Sequence, residues 1–140
     1  MERNTRALGY LGLARRGGRI AVGEESAGAA CRSGHGRLLV LAEDAGDHTF
    51  RRAQSFARSG KPPIVTVPFT KAELGGALGL TACAIAVITD APLALAFVEA
   101  LGEDPALAPV RQVLTAQKVR IEKRRKEEQA HRKNVRRGKK

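Results

Sequence analysis

Two short apolar runs, Leu38-Leu39-Val40-Leu41 and Ala84-Ile85-Ala86-Val87-Ile88, constrain this chain more than any other feature. Neither alternates apolar with polar, so each is a strand covered on both faces rather than one side chain in two facing water. A sheet buried on both sides needs helices on both sides, and the intervening sequence supplies them. Thr5 to Arg16 carries Leu8, Leu11 and Leu13 and stops at Gly17-Gly18. After a short strand, Ile20 to Val22, Gly23 breaks the chain, and Glu24-Glu25 place negative charge on the first turn of a helix running to about Ser33. Asp47 is positioned to cap a helix through Phe50, Ala53 and Ala57 to Ser59, and Pro62-Pro63 introduce a strand, Ile64 to Val67. Thr70, with Glu73 three residues on, has the reciprocal pattern of a capping box, and Gly75, Gly76 and Gly79 allow close backbone approach. Asp90 with Pro92 starts a helix through Leu101, where the core is expected to close. The alternation predicts an α/β fold: a three-layer α/β/α sandwich around a small mixed four-stranded sheet, with the Leu38 strand central.

Charge is unevenly spread. Residues 1–100 hold 12 Lys and Arg against 9 Asp and Glu, whereas residues 101–140 hold 13 against 5, so most of the net charge of +11 belongs to the end of the chain. This divides the sequence into a domain at 1–101, a proline-bearing linker at 102–109 and a basic extension at 110–140. Val110, Val113, Leu114 and Ile121 fall near one helical stripe, so the extension is expected to begin as a helix. From Arg120 it is nearly all charged, and its last ten residues are expected to be disordered when free. Lys118, Arg120, Lys123, Arg124, Arg125, Lys126, Arg132, Lys133, Arg136, Arg137, Lys139 and Lys140 are the candidate phosphate contacts, because each cation placed on a phosphate releases condensed counterions. An anionic membrane is the weaker partner: the extension lacks an apolar aromatic face, no run of 18 apolar residues occurs, and Met1-Glu2-Arg3-Asn4 does not open a signal peptide. The expected location is therefore cytoplasmic.

Chemistry-bearing patterns are sparse. Cys31 and Cys83 lack CxxC spacing and sit among alanines, the setting of buried small side chains, and His35, His48 and His131 have no ligand-spaced partners, so no metal site is predicted. GxxxxGKS/T, GxGxxG, GxSxG and HExxH are absent. Glu43, Asp44 and Asp90 stand at strand ends where catalytic acids often lie, yet turn and cap roles suffice for the aspartates. Arg15, Arg16 and Arg19 frame the diglycine turn before the Gly23 helix start, a combination suited to phosphate. With no Trp, one Tyr and four Phe, a stacking platform for single strands is not expected, which favours recognition of folded RNA by shape.

Four collinear blocks carry a resemblance. They are Gly12-Leu13-Ala14-Arg15-Arg16-Gly17-Gly18-Arg19 with Gly23-Glu24-Glu25; Leu39-Val40-Leu41-Ala42-Glu43-Asp44-Ala45; Thr70-Lys71-Ala72-Glu73-Leu74-Gly75 to Gly79; and Ala86-Val87-Ile88-Thr89-Asp90. Over about residues 5–101 the chain resembles the bacterial YlxQ/YbxF branch of the kink-turn-binding ribosomal protein superfamily. The resemblance implies a noncatalytic protein without cofactor that binds structured RNA, with rRNA or the ribosome as partner; a small-molecule substrate is not expected, and the chain is read as a monomer. It places the RNA on the helix start at Gly23, Glu24, Glu25 and Ser26 and on the loop at Leu80, Thr81 and Ala82, with Leu80 as the apolar wedge. Where the family carries an Asn-Glu pair and then a lysine, this chain has Glu25, Ser26 and Ala29. Each lost charge-assisted contact is worth ~1.5–3 kcal/mol, which the basic extension would offset by nonspecific phosphate contacts. Two other readings use the same features: a substrate-recognition partner of a separate RNA-modifying enzyme, and a DNA-compacting protein driven by its tail.

Overall fold

The two apolar runs lie side by side in the middle of one sheet. In the computed structural model, which describes residues 2–136, they are β2 (Leu38–Leu41) and β4 (Ile85–Ile88), paired antiparallel from Leu38 opposite Ile88 to Leu41 opposite Ile85. β1 (Ile20–Val22) flanks β4 antiparallel and β3 (Ile64–Thr66) flanks β2 parallel, giving the order β1-β4-β2-β3. All eight residues of β2 and β4 are buried, as two-sided cover requires.

Alternate side chains enter two cores. Leu39, Leu41, Ile85 and Val87 pack with Ala27 and Cys31 of α2 (Glu24–Arg32) and with Ala53 and Phe56 of α3 (Asp47–Arg58). Leu38, Val40, Ala86 and Ile88 face α1 (Glu2–Arg16), α4 (Lys71–Leu78) and α5 (Ala91–Ala100), which contribute Leu11, Leu74, Leu78, Phe97 and Val98 among others. The expected α/β/α sandwich with its mixed four-stranded sheet is the observed fold. Cys31 and Cys83 are free and buried, one in each core, so the sheet separates them.

The local signals at α4 and α5 are realised as read. Thr70 Oγ1 accepts from Glu73 N–H at 3.1 Å while Glu73 Oε1 accepts from Thr70 N–H at 2.9 Å, and Gly79 ends the helix in the left-handed region at φ 75°. Asp90 Oδ2 accepts from Leu93 N–H at 2.9 Å. At α3 the expectation is corrected: Gly46 is the N-cap, and Asp47 is the first helical residue, acting through its charge on the helix dipole rather than through a capping hydrogen bond.

A larger correction concerns the core boundary. The core does not close at Leu101. Within the stretch read as a linker, Pro105–Leu107 forms a 3-10 turn that buries Leu107, and α6 (Ala108–Arg136) follows directly. Val110 and Leu114 of α6 join the same core as Phe97 and Val98, Leu114 with no exposed surface at all. Val113, placed on the apolar stripe by sequence, is 43% exposed. Spacings of three and four residues bring Leu107, Val110, Leu114, Gln117 and Ile121 to one side, whereas Val113 lies a full residue step off it. The helix continues to Arg136, past the point where disorder is expected; Arg137, Lys139 and Lys140 lie outside the described residues. Leu114→Ala is predicted to destabilise the protein by ~2–5 kcal/mol in denaturant unfolding, the cost of a buried leucine truncation. A loss no greater than that of a surface substitution would show that α6 is not part of the folded core.

Candidate nucleic-acid interface

β1, β2 and β3 all finish at the end of the sheet where β4 begins, so the segments that follow them converge there with the loop that precedes β4. The join is specific. Gly23 N–H donates to the Ile85 carbonyl at 3.0 Å, and the Cys83 thiol donates to the same oxygen at 3.2 Å. One carbonyl thus ties the start of α2 to the end of the 79–83 loop. Cys83 N–H also donates to the Lys71 carbonyl at 2.9 Å and Leu80 N–H to the Gly75 carbonyl at 2.7 Å, which fixes the loop against both ends of α4. Gly75 is required for this: a Cβ there would lie 2.6 Å from Ala82 Cα.

Gly23 contributes shape. Its φ of 86° and ψ of 165° belong to a region essentially reserved for glycine, although a Cβ would meet nothing within 4 Å. Its own N–H is committed to the sheet, so the donors open to a ligand are the first-turn N–H groups of Glu24, Glu25 and Ser26, which no side chain caps. Glu25 and Ser26 are exposed; Glu24 is half-buried and accepts from Thr49 Oγ1 at 3.4 Å, linking α2 to the first turn of α3. Leu80, 37% exposed, stands beside exposed Thr81 and Ala82.

The three arginines separate. Arg15 and Arg16 end α1, and the Arg16 side chain reaches back along it: a Cβ on Gly12 would sit 3.4 Å from Arg16 Nη1 and 3.5 Å from the Ala77 carbonyl. Arg19 does not join them. Its carbonyl accepts from Thr89 N–H at 2.8 Å at the far end of β1, four strand residues or ~13 Å from Gly23, and its side chain lies along Gly17. The candidate surface therefore comprises Arg16, the Glu24–Ser26 turn and Leu80–Ala82, with Arg15 next to Arg16 at the end of α1.

The acids weighed for catalysis are also parted by topology. Asp44 follows β2 and Asp90 follows the antiparallel β4, so they stand at opposite ends of the sheet, each holding a helix start, with Asp44 Oδ1 accepting from Lys71 N–H at 2.8 Å. Among the described residues no group of three or more His, Cys, Asp or Glu could hold a metal ion, and no helix is long and apolar enough to cross a membrane.

Solved structures share this architecture. A protein of unknown function from Bacillus halodurans superposes with a TM-score of 0.64 at 28% identity, over 70% of this chain and 98% of that one. A 15.5 kD RNA-binding protein from Giardia lamblia superposes with a TM-score of 0.59 at 20% identity, over 77% of this chain and 92% of that one. The fold is theirs. No protein-family model and no curated protein sequence matches the chain.

Sequence reasoning missed the peg at Cys83 and the tie between Thr49 and Glu24; neither has a local signature, because both depend on which strands become neighbours. Two predictions follow from the geometry. Gly23→Ala should cost ~1–3 kcal/mol in thermal or denaturant unfolding despite the empty space around it, since the cost is backbone strain; a neutral result would show that the residue does not hold this conformation. Burial pushes the Cys83 thiol up, with hydrogen bonding to the Gly23 and Ile85 backbone and the Arg15 charge opposing, and burial likewise pushes up Cys31. Both native values lie above the unfolded ones, so the stability contributed by the neutral thiols is present below the ordinary thiol range and lost as pH rises through the native values. Thiol labelling at mildly alkaline pH should accordingly be slow in the native protein and fast in denaturant; rapid native labelling would contradict the burial.

Proposed function

We propose that the chain is a noncatalytic RNA-binding protein that docks structured RNA on the edge formed by the α2 first turn and the Leu80–Ala82 loop. One observation carries the reading: the Ile85 carbonyl holds Gly23 and Cys83 together, placing uncapped helix N–H donors next to the loop that carries exposed Leu80. Such an edge suits an unstacked base or bulge, where N–H donors meet phosphate or base oxygens and an aliphatic side chain lies under a splayed ring. The fold shared with the Giardia RNA-binding protein and the four sequence blocks support it. rRNA or the ribosome in the cytoplasm is the proposed partner, the chain acting as a monomer of the YlxQ/YbxF kind. Acidic Glu25 beside the donors and neutral Ser26 and Ala29 make the contact one of shape more than charge, so affinity comes in large part from the basic α6.

The test compares a bulged, kinked RNA with a plain RNA duplex of equal length. The full chain should prefer the bulged RNA, and Arg16→Glu or Leu80→Asp should bring that preference close to unity, whereas Arg19→Glu, whose side chain lies along Gly17, should leave it unchanged. Absence of any preference in the unaltered chain, or equal binding of folded RNA and duplex DNA at physiological salt, would overturn the proposal and favour a tail-driven polyanion binder. Cutting the chain at residue 104 is unsuitable for separating the tail, because it removes Leu107, Val110 and Leu114 from the core.

A further inference from the structure

The end of the sheet opposite Gly23 has a different character. The helices that follow β1 and β2 begin at the Gly23 end, with Glu24, Glu25 and Asp47 in their first turns, and finish at the other end with Arg32 and Arg58 in their last. Arg37 also stands there, immediately before β2, its N–H donating to the Ile88 carbonyl at 2.8 Å. The docked part of α6 runs past it. Arg37, Gln117, Arg120, Ile121 and Arg124 line one cleft of about 280 Å³. Gln117, Ile121 and Arg124 are spaced by four and three residues, and Arg120 by three from Gln117, so the core-facing stripe of α6 simply changes chemistry after Leu114, from apolar to amide and guanidinium.

Three features of the cleft need explaining. Arg120 and Arg124 are like charges four residues apart, an arrangement that disfavours a helix unless something anionic sits between them. Asp90 is at this end too, but its carboxylate is engaged with Leu93 N–H; Glu122, Glu127 and Glu128 of α6 do not line the cleft. Lastly, Gln117 Oε1 is buried without a hydrogen-bond partner, which is costly for an amide.

We infer that this cleft is a second RNA contact: Arg37, Arg120 and Arg124 grip backbone phosphates, and the Gln117 side chain, which lines the cleft, turns its unpartnered amide oxygen outward to meet a ribose 2′-hydroxyl. Guanidinium forks match phosphate oxygens in pairs, and a 2′-hydroxyl both donates and accepts, so it satisfies the amide in either orientation. A row of phosphates fits better than an isolated anion, because α6 carries its cations onward from the cleft, through exposed Lys123, Arg125, Lys126, Arg132 and Lys133, at a rise of ~1.5 Å per residue. A membrane surface fits worse, since the helix offers no apolar face beyond Ile121. The inference rests on the RNA-binding reading but uses a surface on the opposite end of the sheet.

The experiment measures binding of the full chain against salt, with a bulge-free RNA duplex and a DNA duplex of the same sequence as probes. Arg37→Gln, Arg120→Gln and Arg124→Gln combined should lower the salt slope by about 2 to 3, at ~0.7–0.9 per phosphate, and weaken RNA binding about tenfold more than the matched triple Lys126→Gln, Arg132→Gln, Lys133→Gln. Gln117→Leu should narrow the preference for RNA over DNA. Equal losses from the two triples would reduce the cleft to generic charge and overturn the inference, and an unchanged RNA-to-DNA ratio in Gln117→Leu would remove the ribose contact. If the triple containing Arg37 melts, the Arg120→Gln, Arg124→Gln pair, which leaves the sheet untouched, is compared with Arg132→Gln, Lys133→Gln by the same criterion. Preference for a bulged RNA reports the Gly23 edge and should survive every cleft variant, so failure of the cleft and failure of the RNA-binding reading are distinguishable.

Discussion

Everything in this molecule hangs from the antiparallel pairing of β2 with β4. Eight buried residues in register, Leu38 opposite Ile88 through Leu41 opposite Ile85, present one set of side chains to α1, α4, α5 and α6 and the other to α2 and α3. A slip of one residue would exchange the two sets and leave Phe56 and Phe97 facing the wrong partners, so two cores of different shape enforce one register. Because β1 is antiparallel to β4 and β3 parallel to β2, the same pairing decides which loops share an end. The Ile85 carbonyl, at the start of β4, becomes the place where the α2 start and the Leu80 loop are tied.

Electrostatics follow from that geometry. A helix begun at one end of a short sheet finishes near the other, and each helix favours acids at its start and bases at its finish. α2 and α3 obey this with Glu24, Glu25 and Asp47 against Arg32 and Arg58. The result is an end rich in backbone donors and shape but acidic in side chains, and an end rich in guanidinium. The proposed division of labour, shape recognition at Gly23 and phosphate attraction at Arg37 with α6, is what such a scaffold offers a folded polyanion.

Much of the fold is legible in the sequence because its signals are local. The continuous runs LLVL and AIAVI, the Thr70–Glu73 box, the glycine at 79 and the Asp90 cap each act within a few residues, and each is found where it is read. What is not legible depends on tertiary neighbours. Gly46 rather than Asp47 caps α3, and prolines and acids at 103–109 look like linker chemistry although the core recruits Leu107 from among them. The candidate site divides in the same way. Gly23 and Leu80–Ala82 are marked by sequence; the exclusion of Arg19 follows from the direction of β1, and the gathering of Arg37 with Gln117, Arg120 and Arg124 follows from where α6 docks.

The two ends of the sheet are proposed as distinct RNA-facing surfaces on one scaffold. The most direct measurement is a residue-resolved NMR titration of the full chain with a folded, bulge-containing RNA. The amides of Glu24, Glu25, Ser26, Leu80, Thr81 and Ala82 should shift together, with the Gln117 side-chain amide and Arg37 moving in the same titration, while the exposed faces of α3 and α5 stay still. Perturbation confined to the exposed cations of α6 beyond Arg124, with the Gly23 edge unmoved, would contradict the account.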